Sequence, residues 1–145
     1  MCDHRTYMHS AEIMATKSND PSTKVGAIMV TVEGNCGRGW NCFPVGVEET
    51  QERMSDREEK YPRIIHAEMN AIASAVHEDF FTIGGTMYTT HFPCSDCCGI
   101  LIQFGVKRIV TFEPDEDYLS RWKKSIEISL SMLNEAEIEL IYIPR

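Results

Sequence analysis

Apolar positions at Tyr7, Met8, Ala11, Ile13, Met14 and Ala15 recur at helical spacing and predict a first helix over about Asp3 to Lys17, with one buried stripe. The turn formers Ser18-Asn19-Asp20-Pro21-Ser22 end it. From Lys24 to Val32 the pattern becomes nearly continuous apolar, Val25-Gly26-Ala27-Ile28-Met29-Val30-Thr31-Val32, which predicts a strand interior to a sheet. Only Glu33-Gly34-Asn35 separates it from a second strand across Cys36 to Cys42, so the pair is an antiparallel hairpin. Phe43 to Arg63 is polar, with Pro44, Gly46, Pro62 and mixed charges from Glu48 to Lys60, and reads as a solvated loop holding one short helix. An insertion of that length in a compact domain is often functional.

Ile65 to Val76 is again helical in pattern, and its small residues Ala67, Ala71, Ala73 and Ala75 let it lie close on the sheet. Gly84-Gly85 opens a third strand, Thr86 to Thr90, followed by a helix from Cys94 to Phe104 that Gly105 stops. A fourth strand over Lys107 to Phe112, an acidic loop from Glu113 to Asp117, a helix over about Tyr118 to Leu133 and a last strand from Ile138 to Ile143 complete the chain. There is no internal repeat. This order implies an α/β fold of three layers, α/β/α, around a five-stranded mixed sheet. At 145 residues the chain suits a single domain, 1–145, with a proper core.

Two stretches carry the chemistry, His66-Ala67-Glu68-Met69-Asn70 and Pro93-Cys94-Ser95-Asp96-Cys97. His66, Cys94 and Cys97 are three soft ligands, and three protein ligands with one position left open is the donor set of a catalytic zinc, where a structural zinc is closed by four. A helix starting near Pro93 sets both sulfurs in its first turn, and its positive end favours thiolate over thiol. Glu68 is about 200° around an ideal helix from His66, poorly spaced for chelating the same ion. It is instead suited to proton transfer, taking a proton from water that the metal acidifies and passing it to substrate. A Cys-x-x-Cys alone is as common in structural zinc and redox sites, and a lone glutamate is usually a solvated helix residue. Both halves together, with proline before the first cysteine, form the known pattern of zinc deaminases.

Composition narrows the setting. Hydrophobic content of 43% with 25% charged residues is ordinary for a globular protein. Met1-Cys2-Asp3-His4-Arg5 is no signal peptide and no apolar run is long enough for a membrane span, so a cytoplasmic location without membrane partners is expected. Six cysteines in such a chain point to metal or thiol chemistry before disulfides. The net charge of −8 argues against gripping a nucleic-acid backbone, whereas a small anionic substrate needs only a local basic spot.

With the motifs placed, the chain resembles the cytidine deaminase superfamily, and within it the deoxycytidylate (dCMP) deaminase branch. The superfamily resemblance rests on the two zinc stretches. That to the branch rests on Asp20-Pro21-Ser22-Thr23-Lys24-Val25-Gly26-Ala27, on Gly39-Trp40-Asn41 with Phe43-Pro44 and Gly46-Val47, on Asp56-Arg57-Glu58 with Lys60-Tyr61, and on His66 to Ile72. The resemblance implies the cytidine-deaminase-like fold and hydrolytic removal of the cytosine 4-amino group, turning dCMP into dUMP and ammonia. Activated water attacks C4 while the glutamate, here Glu68, protonates N3 and then the departing amine. It implies one catalytic zinc per chain on His66, Cys94 and Cys97, since no Cys or His lies between Phe43 and Ile65 to hold a second, structural zinc. Cys2, Cys36, Cys42 and Cys98 are then packing or incidental thiols. Asn41 would bind the sugar; Trp40 replaces the usual tyrosine before it and keeps the aromatic bulk.

By the same analogy the backbone around Ala67 and Phe92 hydrogen-bonds the base, with His91 and Phe92 near its face. His91 reads as a pocket wall, because a fourth ligand would displace the water the chemistry needs. For the phosphate, Ser22, Thr23 and Lys24 before the first strand and Tyr118, Arg121 and Lys123 after the fourth are equally readable as surface residues. Arg121 is the preferred cation, because a guanidinium holds phosphate through two parallel hydrogen bonds. Asn70 is either a helix-surface amide or a brace for the active-site loops. The branch also implies a homohexamer regulated by dCTP and dTTP bound with Mg2+ at a second site. Asp20, Ser22, Thr23, Lys24, Gly46, the rest of the insertion and Asn70 resemble parts of that site. The rival readings are a deaminase of the same fold acting on another base, such as tRNA adenosine or guanine, and a non-catalytic nucleotide-binding member. The acidic charge and branch blocks weigh against the first, the intact Glu68 against the second.

Overall fold

The computed structural model describes residues 3–145, so Cys2 lies outside the described residues. Asp3 caps the first helix, α1 (His4–Ala15), its carboxylate accepting from the Arg5 N–H. Five strands follow: β1 (Gly26–Val30), β2 (Cys36–Trp40), β3 (Thr86–Thr89), β4 (Arg108–Phe112) and β5 (Glu139–Ile143). They form one five-stranded mixed sheet, as the sequence implied, in the order β2-β1-β3-β4-β5. β1 is antiparallel to both neighbours, with Gly26 opposite Trp40 and Ala27 opposite Thr89, while β3, β4 and β5 run parallel. The start of β1 and the end of β3 therefore meet at one end of the strands, in the middle of the sheet.

β1 is buried throughout, and its side chains alternate between two cores. Ile28 and Val30 pack with Met8 and Ala11 of α1 on one face. Ala27 and Met29 face the other layer, made by α4 (Ala67–His77), α5 (Ser95–Gln103) and α6 (Glu116–Glu135), where Ala71, Ala75, Leu101 and Leu133 pack with them. The layer of three helices holds the chemistry. It sits close because β2 is glycine-rich: a Cβ at Gly39 would meet the backbone of Ala67 and Ala71 at 2.3 Å, and one at Gly37 the Ala71 carbonyl at 2.3 Å. α4 thus lies with its backbone directly on β2.

Three stretches of the chain depart from the sequence reading. The polar segment after β2 holds two short helices, α2 (Gln51–Ser55) and α3 (Arg57–Lys60), capped by Thr50 and Asp56. The segment is pinned by Met54, 1% exposed, and by Glu49, whose carboxylate accepts from the Phe43 N–H and the Asn19 amide. α4 starts at Ala67, not Ile65, because Ile65 pairs with Cys42 in an isolated bridge that holds the chain extended. α6 starts at Glu116, with the Asp115 carboxylate accepting from the Tyr118 N–H, and bends at Trp122, whose φ of −119° and ψ of 20° leave the helical range. No helix among the described residues is long and apolar enough to cross a membrane.

Candidate active site

His66 and Cys94 each stand immediately before a helix, as the N-caps of α4 and α5, with extended backbone. The imidazole makes no capping bond and is free to face the cysteines. Cys94 Sγ lies 3.5 Å from the Cys97 N–H of its own first turn. His66 Nδ1 is 3.5 Å from Cys94 Sγ and 3.3 Å from Cys97 Sγ, and the three ligand atoms lie within 4.8 Å of one another. Tetrahedral zinc with ordinary Zn–S and Zn–N bonds needs N···S separations of about 3.6 Å. The donor set therefore fits zinc in element, number and spacing.

The thiols differ in their surroundings. A hydrogen bond from Cys97, and then the His66 ring, hold Cys94 well below the usual thiol range against the cost of burial, so it is the first to ionise. Cys97 moves up, because its hydrogen bond to Cys94 and burial favour the protonated form. The hydrogen bond with Cys94 raises His66 in turn, outweighing burial. Cys98, next along the chain, is pushed up to about 11 by burial and stays a thiol.

Glu68, 4% exposed, is the second residue of α4. Its Oε1 accepts from the Thr89 hydroxyl at 2.9 Å, and its Oε2 is 3.7 Å from Cys97 Sγ. Burial raises its pKa, opposed by its own backbone N–H and by His66. The result is a carboxyl held above its ordinary pKa, beside the ligands, with one oxygen fixed in direction.

A cavity of about 560 Å³ opens over this group, a size suited to a small ligand. It is lined by Ala67, His91 and Phe92 near the cysteines, by Asp20, Ser22, Thr23 and Asn41 on the β1 side, and by Tyr118 and Arg121 of α6. Burial, then the positive charge of Arg145, keeps His91 below its ordinary value. The Tyr118 ring is 5.9 Å from that of His91, and its hydroxyl donates to the Phe92 carbonyl at 2.7 Å; burial pushes its pKa up. Arg121 is exposed and 3.4 Å from Asp117. Asn41 is committed to the preceding loop: Oδ1 accepts from the Val25 N–H at 2.9 Å, while Nδ2 donates to the Thr23 carbonyl at 2.8 Å and reaches Asp20 at 3.4 Å.

Lys24, Gly46, Asn70 and Lys123 are not brought to the cavity wall. The Lys24 ammonium turns to the Ser18 carbonyl. Gly46 sits at a φ of +85° in open space. Asn70 donates to the Trp40 carbonyl at 2.7 Å and the Ile65 carbonyl at 3.3 Å, and so joins the end of β2 to the residue before His66.

Sequence reasoning placed Arg57 and Lys60 only in the branch-resembling insertion, read as part of an effector site, yet both stand in the wall of the cavity over the zinc ligands. Lys60 is buried, and its ammonium lies 3.2 Å from each carboxylate oxygen of Asp20. Asp20 also accepts from the N–H groups of Ser22 and Thr23 and so gathers the loop before β1. The Arg57 guanidinium lies 5.4 Å over the Tyr61 ring and donates to its hydroxyl. Nothing in the polarity of the segment marks a lysine as buried; the caps Thr50 and Asp56 were the available sign that it is ordered.

Residues 1–113 match the family described as the cytidine and deoxycytidylate deaminase zinc-binding region. A protein named uncharacterized deaminase in luxG 3'region, from Aliivibrio fischeri, is 35% identical over 140 residues, covering 97% of this chain and 92% of that one. Mouse deoxycytidylate deaminase is 37% identical over 112 residues, covering 72% of this chain, which spans 61% of the mouse protein's length. Among solved structures, dCMP deaminase from the cyanophage S-TIM5 superposes with a TM-score of 0.75 at 26% identity, over 97% of this chain and 96% of that one. Cytidine deaminase from Mycobacterium tuberculosis, at 16% identity and a TM-score of 0.57 over 79% of this chain and 87% of that one, shares the fold. Sequence and architecture agree along nearly the whole length, and on that ground this chain belongs to the cytidine and deoxycytidylate deaminase family of hydrolytic, zinc-binding enzymes.

Proposed function

We propose that this single domain hydrolyses dCMP to dUMP and ammonia, supplying dUMP for dTMP synthesis. The observation that carries the reading is the meeting, in one cavity, of His66, Cys94 and Cys97, the buried Glu68, and a rim with hydroxyl and cationic groups for a phosphate. The cyanophage enzyme has been solved with dCMP and dUMP, which supports a nucleotide over a free base. His66, Cys94 and Cys97 hold zinc, which when bound supplies Lewis-acid activation of water. Glu68, fixed by Thr89, holds the proton that moves to N3 of the pyrimidine and then to the departing amine. His91 and Phe92 wall the base, with the backbone at Ala67 and Phe92 available to its polar edge. The Oδ1 of Asn41 keeps a second lone pair for a sugar hydroxyl. Ser22, Tyr118 and Arg121 line the phosphate end, and Lys24 supports that loop from behind through Ser18.

Regulation belongs to the same proposal. dCTP and dTTP, with Mg2+, act through a second site that draws on Asp20, Ser22, Thr23, Lys24, Gly46 and Asn70 in a cytoplasmic homohexamer. In support, Asp20 and Asn70 are tied by side-chain hydrogen bonds to segments that enter the active site. The test is parallel assay of dCMP, dCTP, cytidine, guanine and adenosine in a tRNA loop, with and without dCTP and dTTP. Preferred turnover of dCMP is expected; preferred turnover of a base or nucleoside would overturn the substrate assignment. Indifference to both triphosphates would overturn the regulatory one.

A further inference from the structure

The segment Phe92–Ser95 carries Cys94 from β3 into α5, and Phe92 and Pro93 are buried. The sheet ladder ends at Thr89 and Pro93 has no N–H, so the polar backbone groups here must find partners elsewhere. They find them on α6. The Tyr118 hydroxyl donates to the Phe92 carbonyl at 2.7 Å, and the Ser129 hydroxyl donates to the Pro93 carbonyl at 3.2 Å. The Ser95 N–H, at the start of α5 where no helical partner exists, donates to Ser125 Oγ at 3.1 Å. Positions 125 and 129, four residues apart beyond the bend at Trp122, share one side of the helix, and Tyr118 reaches the same segment from before the bend. Ser129 is fully buried, and a mid-helix serine would ordinarily turn to its own backbone. The only other group on the Pro93 carbonyl among the described residues is the Cys98 thiol at 3.7 Å, a weak donor.

We infer that Ser125 and Ser129, aided by Tyr118, are positioning residues for the ligand Cys94. They fix the backbone on both sides of it, so that its sulfur stays at the 3.5 Å from His66 Nδ1 that the metal needs. The inference rests on the zinc reading above. Groups that orient a metal ligand in this way change metal affinity by about 10- to 100-fold when removed.

The experiment compares wild type with Ser125→Ala, Ser129→Ala, Ser125→Thr and, as a surface control, Ser131→Ala, whose hydroxyl contacts exposed Glu135. Zinc affinity is read by competition with a chelator, ligand geometry by the visible absorption of the cobalt(II)-loaded protein, and folding by the melting temperature of the metal-free protein. Expected are a loss of zinc affinity of about 10-fold or more in each alanine variant, an altered cobalt spectrum, recovery in Ser125→Thr and no change in Ser131→Ala. Wild-type affinity and spectrum in Ser125→Ala would overturn the inference. So would a lowered metal-free melting temperature with unchanged affinity, since that is all a packing role predicts. A wild-type chain that takes up neither metal would overturn the zinc reading and this inference with it.

Discussion

Glu68 is the residue on which chemistry and fold can be separated. Its Oε1 is held by Thr89 and its Oε2 faces the ligand cluster, so glutamine preserves shape and the Thr89 bond while removing the exchangeable proton. Glu68→Gln is expected to keep zinc and melting temperature and to lose kcat by at least about 100-fold, the smaller end of what a positioned acid-base group contributes; zinc content and steady-state rates check this. His66, Glu68, Cys94 and Cys97 were legible in the sequence because ligand chemistry is fixed by residue type and short spacing. Lys60 and Ser125 were not. Each bonds a partner some 30 to 40 positions away, Asp20 and Ser95, and no local pattern encodes such a pairing.

Among the elements, α4 depends most on its neighbour. Its first turn presents Glu68, and it can lie where it does only because β2 offers bare backbone at Gly37 and Gly39. Gly39→Ala forces the first turn of α4 off the sheet. Overpacking of this kind costs about 1–3 kcal/mol, and because the displaced turn follows His66, activity should fall further than stability; denaturant unfolding and kcat/KM on the same preparation separate the two. The strands and long helices were readable from periodicity. The start of α4 was misplaced at Ile65 because apolar spacing continues through a residue that strand pairing claims, and where one short helix was expected after β2 there are two, α2 and α3, each too short and polar to show a period.

For the molecule as a whole, the cavity joins parts of the chain a hundred residues apart, from Asp20 to Arg121. Zinc that binds only the folded arrangement stabilises it by mass action, about 2.7 kcal/mol when free metal is 100 times its dissociation constant. Chelation is therefore expected to lower the melting temperature and abolish turnover together, both returning on zinc addition, as calorimetry and assay would record. The Asp20–Lys60 pair is a second clasp, and an unequal one. Lys60→Met leaves Asp20 with the Ser22 and Thr23 N–H groups and the Asn41 amide, whereas Asp20→Asn leaves a buried ammonium without its carboxylate. The second change should approach the roughly 3–5 kcal/mol typical of a broken buried pair and the first should cost less, a ranking that urea unfolding of both variants decides.

The depth of that pair also sets how the enzyme answers to its medium. Arg108–Glu139 and Arg121–Asp117 are exposed to solvent and are weakened as ionic strength rises, while Asp20 and Lys60 are shielded from mobile ions by the protein around them. Concentrated salt will loosen the periphery first and leave the cavity wall at Asp20 and Lys60, with the loop that Asp20 gathers, standing.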